Sequence, residues 1–133
     1  MRLLIDTHFA VWLATDPGEV SATERLHLTA DSTQIVLSAV SVWELRLKWS
    51  SLRRSGDRKG PVEPGAVVSF GQKMRWEYLS LTVVHATGTL LQPLLHRDPF
   101  DEMLLLQSQS ESMPFLTRDR GLIDHPLAVS LSD

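Results

Sequence analysis

Cysteine is absent from the 133-residue chain, which excludes disulfides, thiolate nucleophiles and sulfur-ligated metal centres. Any metal must be held by oxygen or imidazole, so hard divalent cations become the default. Long apolar runs are missing too. Nothing approaches the roughly 20 consecutive apolar residues of a membrane span, and no membrane partner is expected. The N-terminus opens directly on Leu3, Leu4 and Ile5. It lacks the basic segment, extended apolar region and cleavage site of an export signal, and a cytoplasmic location is the expectation. His8, His27, His85, His96 and His125 show no zinc-ligand spacing, and neither a Gly-x-Ser-x-Gly turn nor a phosphate-cradling glycine loop occurs. Hydrolase triads of that kind and nucleotide-driven motors are thereby set aside.

What is present is an ordinary globular balance, 43% hydrophobic and 22% charged. The length suits one domain over 1–133, able to bury roughly two-thirds of the surface its unfolded chain exposes. A formal charge of −3 argues against generalised polyanion binding, but the charge is uneven. Arg46, Lys48, Arg53, Arg54, Arg58 and Lys59 face a single acid, Asp57, between residues 46 and 59. Such a patch either steers a polyanion or is simply a solvated surface.

The hydrophobic pattern alternates strands and helices. Arg2 to Asp6 is a short apolar strand ending in an acid, and Phe9, Trp12 and Leu13 then recur at helical spacing. Ser21-Ala-Thr-Glu24 has capping-box form and opens a second helix. Gln34 to Ala39 reads as a second strand, and Ser41-Val-Trp-Glu44 as another capping box opening a third helix. The segment from Arg53 to Gly65 has loop composition. A helix is expected over Ala66 to Trp76, a strand over Tyr78 to Val83 and a helix over Ala86 to Leu95. Asp98-Pro99-Phe100-Asp101 starts a further helix, with Asp98 at the N-cap, Pro99 first and Asp101 third. Pro114 to Thr117 reads as a strand, Asp119 to Ile123 as a short helix and Leu127 to Leu131 as a last strand. The alternation implies a parallel sheet in an α/β fold.

Ligands of such sheets bind beyond the carboxyl ends of the strands. Asp6, Glu44, Asp101 and Asp119 all fall there, each where a strand is ending or a helix beginning. Unpaired carboxylates gathered at one edge repel: at about 5 Å and an effective dielectric of about 20, each ionised pair costs roughly 3 kcal/mol. A divalent cation removes that cost, and Mg²⁺ or Mn²⁺ serving phosphodiester hydrolysis is the functional reading. Each acid also has a structural reading. Asp6 could close a turn, Glu44 complete a capping box, Asp101 favour a helix dipole and Asp119 cap a helix. Asp98 has sufficient work as an N-cap, and its expected role at the site is to support Asp101 from behind. Thr7 and Thr117 are candidate hydroxyl donors to an acid or a water, and His8 and His96 are read as turn-packing residues. The rivals are a non-catalytic interaction module whose acids are helix caps, and a phosphatase using Asp6 as nucleophile. Against the phosphatase, the position two residues on is His8 and not a second aspartate.

Four words of the sequence carry a resemblance: Leu3-Leu4-Ile5-Asp6-Thr7-His8, Ser38-Ala39-Val40-Ser41-Val42-Trp43-Glu44-Leu45, His96-Arg97-Asp98-Pro99-Phe100-Asp101 and Leu116-Thr117-Arg118-Asp119. In this order and over nearly the whole chain, they resemble PIN-domain ribonucleases, in particular toxins of the VapC type. The resemblance implies a three-layer α/β/α domain around a central parallel sheet of about four or five strands. It also implies divalent-metal-dependent endoribonuclease activity, with Asp6, Glu44, Asp101 and Asp119 as the acidic site. By this resemblance Asp6 and Asp101 hold a metal, and Glu44 and Asp119 bind a second ion or orient waters. It further implies homodimerisation and a cognate antitoxin lying between the first helix and those after strand two, with Trp12, Trp43, Leu47 and Trp49 as candidate contacts. One departure is the polar run Gln107 to Ser112, where the family tends to small residues.

If the basic segment captures RNA, neutralising Arg53, Arg54, Arg58 and Lys59 together should weaken binding and flatten its salt dependence. A log–log slope lower by up to about 3 is expected, because fewer phosphates are neutralised and fewer counterions released. A slope that stays put in a salt titration would leave the patch a role in solubility alone.

Overall fold

The structure, a computed structural model, describes residues 1–57 and 60–131; Arg58 and Lys59 of the basic segment lie outside the described residues. Five parallel strands form one sheet: β1 (Arg2–Ile5), β2 (Gln34–Ser38), β3 (Glu77–Leu79), β4 (Phe115–Leu116) and β5 (Ala128–Val129), in the order β3-β2-β1-β4-β5. The helices are α1 (Thr7–Thr15), α2 (Ala22–Leu28), α3 (Ala39–Ser50), α4 (Pro64–Lys73), α5 (Val83–Ala86) and α6 (Pro99–Ser110).

Central β1 shows why this sheet needs helices on both faces. Leu3, Leu4 and Ile5 are all buried, and in a strand their side chains alternate between faces. Leu3 and Ile5 join Phe9 of α1, Leu45 of α3 and Val67 of α4 on one side. Leu4 joins Leu104 and Leu105 of α6, with Phe115, on the other. The result is the expected three-layer α/β/α arrangement with five strands. Among the described residues no helix is long and apolar enough to cross a membrane.

Several boundaries differ from the sequence reading. Helix α3 begins earlier, because Ser38 at the end of β2 is its N-cap and accepts a 3.0 Å bond from Val40 N. Ser41 is therefore inside the helix and buried, and no capping box with Glu44 forms. Helix α4 starts at Pro64 behind the capping carboxylate of Glu63 and ends before Arg75, whose φ is 59°. Strand β3 stops at Leu79. The helix expected over Ala86 to Leu95 is replaced by the single turn α5 and a run of bends. Gln109 of α6 explains this, since its side chain accepts from Leu91 N and donates to Thr89 O, each at 2.9 Å. It takes backbone groups that a helix would have paired internally. The polar run in α6 is accommodated as well: buried Gln107 accepts from the Ser38 hydroxyl, and buried Ser108 donates to Met113 O. After β4, Leu122 N and Ile123 N both donate to Asp119 O at 2.9 Å, forming a turn that does not continue as a helix.

Glu24 fixes the connection between α2 and the end of β4. It completes the predicted capping box with Ser21, at 2.8 and 3.1 Å, and is fully buried. There it receives two bonds from the Arg118 guanidinium, the Nε one at 2.8 Å. This hydrogen bonding holds the Glu24 carboxyl below its usual pKa. The stabilisation is present above the unfolded carboxylate range and fades as pH falls through the folded value. Glu24→Ala leaves Arg118 without its anion and removes a cap, so a loss of about 3–5 kcal/mol is expected in chemical denaturation. A loss below about 1 kcal/mol would show that this pair does not hold the fold.

Candidate active site

Because every strand is parallel, all carboxyl ends share one edge. Asp6 leaves β1 there in the N-cap position of α1, with extended backbone, yet its side chain makes no capping hydrogen bond. It is only 5% exposed. Its Oδ2 accepts a 2.7 Å bond from Thr117 Oγ1, just past β4, and the same Thr117 oxygen accepts from Asp119 N at 3.0 Å. Burial raises the Asp6 pKa, opposed by the Thr117 bond and the charge of His8.

Asp101 is the third residue of α6. Asp98 caps that helix, its Oδ1 accepting from Phe100 N at 2.9 Å and Asp101 N at 3.2 Å. The Asp101 side chain makes no hydrogen bond within the described residues, and the countercharge beside it is His96, whose Nε2 lies 3.8 Å from Oδ2. Its pKa is pushed up to about 7, first by burial and then by the charges of Asp98, Asp6 and Asp119. Three acids from separate loops thus act on one carboxyl, which places Asp6, Asp98, Asp101 and Asp119 in a common field.

Glu44 is held differently. Its Oε1 accepts from Thr7 Oγ1 at 2.8 Å, and its Oε2 pairs with Lys48 Nζ at 3.0 Å. Thr7 has a single proton, given to Glu44, so the Ser41 hydroxyl 2.9 Å away donates to Thr7 in turn. Glu44 still contributes a repulsive charge to Asp6. Asp119 is exposed, and its Oδ1 closes a turn by accepting from Gly121 N at 2.8 Å. Among the described residues no three histidine or acidic side chains close on a common point as a metal-binding group. The donor chemistry nevertheless suits a hard cation: an all-oxygen set in which neither Asp6 nor Asp101 has a lysine or arginine partner among the described residues.

The remaining candidates scatter. Lys48 is engaged by Glu44, and Arg46 lies over the Trp43 ring at 5.1 Å; Arg53 and Arg54 are exposed. Trp12 borders a cleft of about 200 Å³ with Asp6 and Asp119. Trp43, half exposed, borders a separate groove with Arg46 and Tyr78. The tryptophans therefore do not form one stripe. Leu47 is exposed and Trp49 partly buried. Sequence reading passed over Arg118, which sits 4.6 Å above the Trp12 ring while binding Glu24, and Ser41, whose place in the Thr7–Glu44 chain emerges only on folding. The signal for Arg118 was its position between Thr117 and Asp119.

A parallel α/β/α sheet with unneutralised acids at its carboxyl edge defines a class of acidic-centre domains. More particularly, this chain belongs to the PIN-domain family, whose model matches residues 3–126. Its fold is similar to a chain in the crystal structure of VapBC2 from Rickettsia felis bound to a DNA fragment from the promoter. That match has a TM-score of 0.68 at 16% identity, covering 98% of this chain and 97% of that one. It is also similar to a chain of DNA-bound VapBC from Salmonella typhimurium, with a TM-score of 0.63 at 17% identity, covering 98% and 96%. No curated protein matches the sequence.

Asp101 makes the metal-free protein sensitive to pH in an unusual direction. Its folded pKa of about 7 lies above the ordinary value of 3.8, so the folded state keeps this proton where the unfolded chain has lost it. The contribution of Asp101 is then full below about pH 4 and declines as pH rises toward about 7, opposite in sense to that of Glu24. Asp101→Asn should remove a decline on the order of 2–4 kcal/mol from denaturant midpoints taken between those limits. Parallel pH profiles for the two proteins would contradict the assignment.

Proposed function

We propose that this PIN domain is a divalent-metal-dependent endoribonuclease acting as the toxin of a toxin–antitoxin pair. The observation that carries the reading is Asp101: partly buried, without a hydrogen bond among the described residues, and facing three other acids. Helix capping accounts for Asp98 and turn closure for Asp119. Neither accounts for Asp101, nor for Asp6 at an N-cap position it does not use. An inert interaction module would have no reason to keep two such carboxyls together.

Asp6 and Asp101 are the residues that would hold Mg²⁺ or Mn²⁺, with Asp119 and Glu44 beside them. When bound, the ion supplies a Lewis acid and an acidified water for phosphodiester hydrolysis. The chain's own contribution is orientation. Thr117 fixes Asp6 through one oxygen, Asp98 sets the first turn of α6 under Asp101, and Thr7 with Lys48 holds Glu44 at the rim. The N-termini of α1 and α6 point their partial positive charge at the same edge, which favours both ionised acids and an approaching phosphate.

The two solved structures named above are VapBC assemblies, which supports a protein partner for this chain as well. A basic side chain of an antitoxin meeting Asp6 or Glu44 would neutralise the centre directly. The Trp12 cleft, which Asp6 and Asp119 also line, and the separate groove at Trp43 are the apolar surfaces open to such a partner. Exposed Val83, Val84 and Leu91 favour a second copy of the chain elsewhere, in a cytoplasmic homodimer.

Asp6→Asn and Asp101→Asn should each reduce Mn²⁺-dependent cleavage of an RNA panel by about a hundredfold or more. Their melting temperatures without metal should be equal to or above that of the parent, since repulsion is relieved. Asp98→Asn should be milder, asparagine being a good N-cap. Full metal-dependent activity in either Asp6→Asn or Asp101→Asn would sink the proposal.

A further inference from the structure

Beside the acidic centre lies a larger cleft of about 490 Å³, formed where the segment after α5 meets the turn that follows β4. Its walls include Leu94 and Pro126, and its polar residues are Gln92, His96, Arg120, Asp124 and His125. Two contacts join it to the acids. His96 Nε2 is 3.8 Å from Asp101 Oδ2, and Gly121, in the cleft wall, donates its N–H to Asp119 Oδ1 at 2.8 Å. A Cβ on Gly121 would lie 3.0 Å from His96 Nε2 and 3.3 Å from Asp119 Oδ1. A side chain there would crowd the wall that His96 and Asp119 share.

The cleft is built in advance. His125 Nδ1 accepts from Leu127 N at 3.2 Å, so the ring proton is on Nε2, which donates to Gln92 O at 2.8 Å. One neutral imidazole thus ties the two walls together. Arg120 and Asp124 are exposed on the turn after Asp119 and make no ion pair or side-chain hydrogen bond within the described residues. The cleft therefore presents one unpaired cation, one unpaired anion and apolar walls, next to a centre proposed to cut a polyanion. Its volume falls within the usual range of small-molecule pockets and suits a nucleotide.

We propose that this cleft receives the nucleotide next to the scissile phosphate and selects guanine. Arg120 binds its phosphate, the apolar walls cover the base, and the Asp124 carboxylate accepts from guanine N1–H and the N2 amino group together. A carboxylate has acceptors only, and guanine is the base with two adjacent donors on its pairing edge. The assignment rests on the ribonuclease reading of the adjoining centre, but its test uses binding and does not need turnover.

Fluorescein-labelled RNA pentamers, uridine throughout except for a central guanine or adenine, are titrated by anisotropy into metal-free Asp6→Asn protein. Guanine should bind about tenfold or more tightly than adenine, the discrimination of one bidentate contact. Adding Asp124→Asn, which replaces one acceptor by a donor, should bring that ratio to near one. Adding Arg120→Ala should weaken both pentamers about equally. Both sites are exposed, and melting curves verify that each variant is folded. Equal binding of the two pentamers, or a guanine preference that survives Asp124→Asn, overturns the assignment. Cleavage by the unmutated protein is scored separately. RNA cutting without guanine selection removes this pocket and leaves the nuclease, whereas guanine selection without cutting keeps the pocket and removes the nuclease.

Discussion

Repulsion between carboxyl groups at one edge of a parallel sheet is the constraint around which the site is arranged. Parallel pairing of β1 with β2 and β4 brings the ends of successive βα units to one side, and that side carries Asp6, Asp101 and Asp119. Their charges add at Asp101, whose proton affinity rises accordingly. A fold would shed such an arrangement if stability alone were at issue, because like charges brought to one edge oppose folding. The surrounding hydrogen bonds do not neutralise the acids. Thr117, Thr7 and the N-cap of α6 orient them and leave the negative field in place.

The rest of the molecule absorbs that cost through well-satisfied polar contacts elsewhere. Glu24 is buried but doubly bonded to Arg118 and reciprocally capped with Ser21. Gln107 reaches Ser38 from the opposite layer. His85 sits in the same region, its Nδ1 accepting from Thr82 N and its Nε2 bonded to Glu111. No buried side-chain nitrogen or oxygen among the described residues lacks a partner. Against that background Asp101 stands out, since its carboxyl makes no hydrogen bond among the described residues and has only His96 nearby, 3.8 Å away.

Local chemistry made much of the fold legible. The N-cap of α6 was readable from Asp98 and Pro99, that of α2 from Ser21 and Glu24, and β1 from three consecutive apolar residues, because each signal acts within one turn or strand. Where reading failed, a distant group had intervened. Ser38 caps α3 as well as ending β2, so the Ser41–Glu44 capping pattern was never used. Gln109 captures backbone from residues 89 and 91, so a helix over that stretch did not form. The basic segment looked uniform in sequence, yet folding pairs Lys48 with Glu44 and lays Arg46 on Trp43.

The sequence by itself determined the alternation of strands and helices, the absence of sulfur chemistry and the placement of Asp6, Asp101 and Asp119 at element boundaries, since these depend on neighbours within a few residues; Glu44, expected in the first turn of its helix, lies in the second because α3 starts at Ala39. Tertiary structure alone decided which acids act on one another. Asp6 and Asp101 are far apart in the chain, and their interaction requires the parallel sheet to bring two loops together. The same long-range closure decided that Glu44 accepts from Thr7, that Arg118 lies between Glu24 and Trp12, and that Gly121 packs against His96. Electrostatic coupling and cavity shape depend on distance in space, and that distance exists only after the layers have packed.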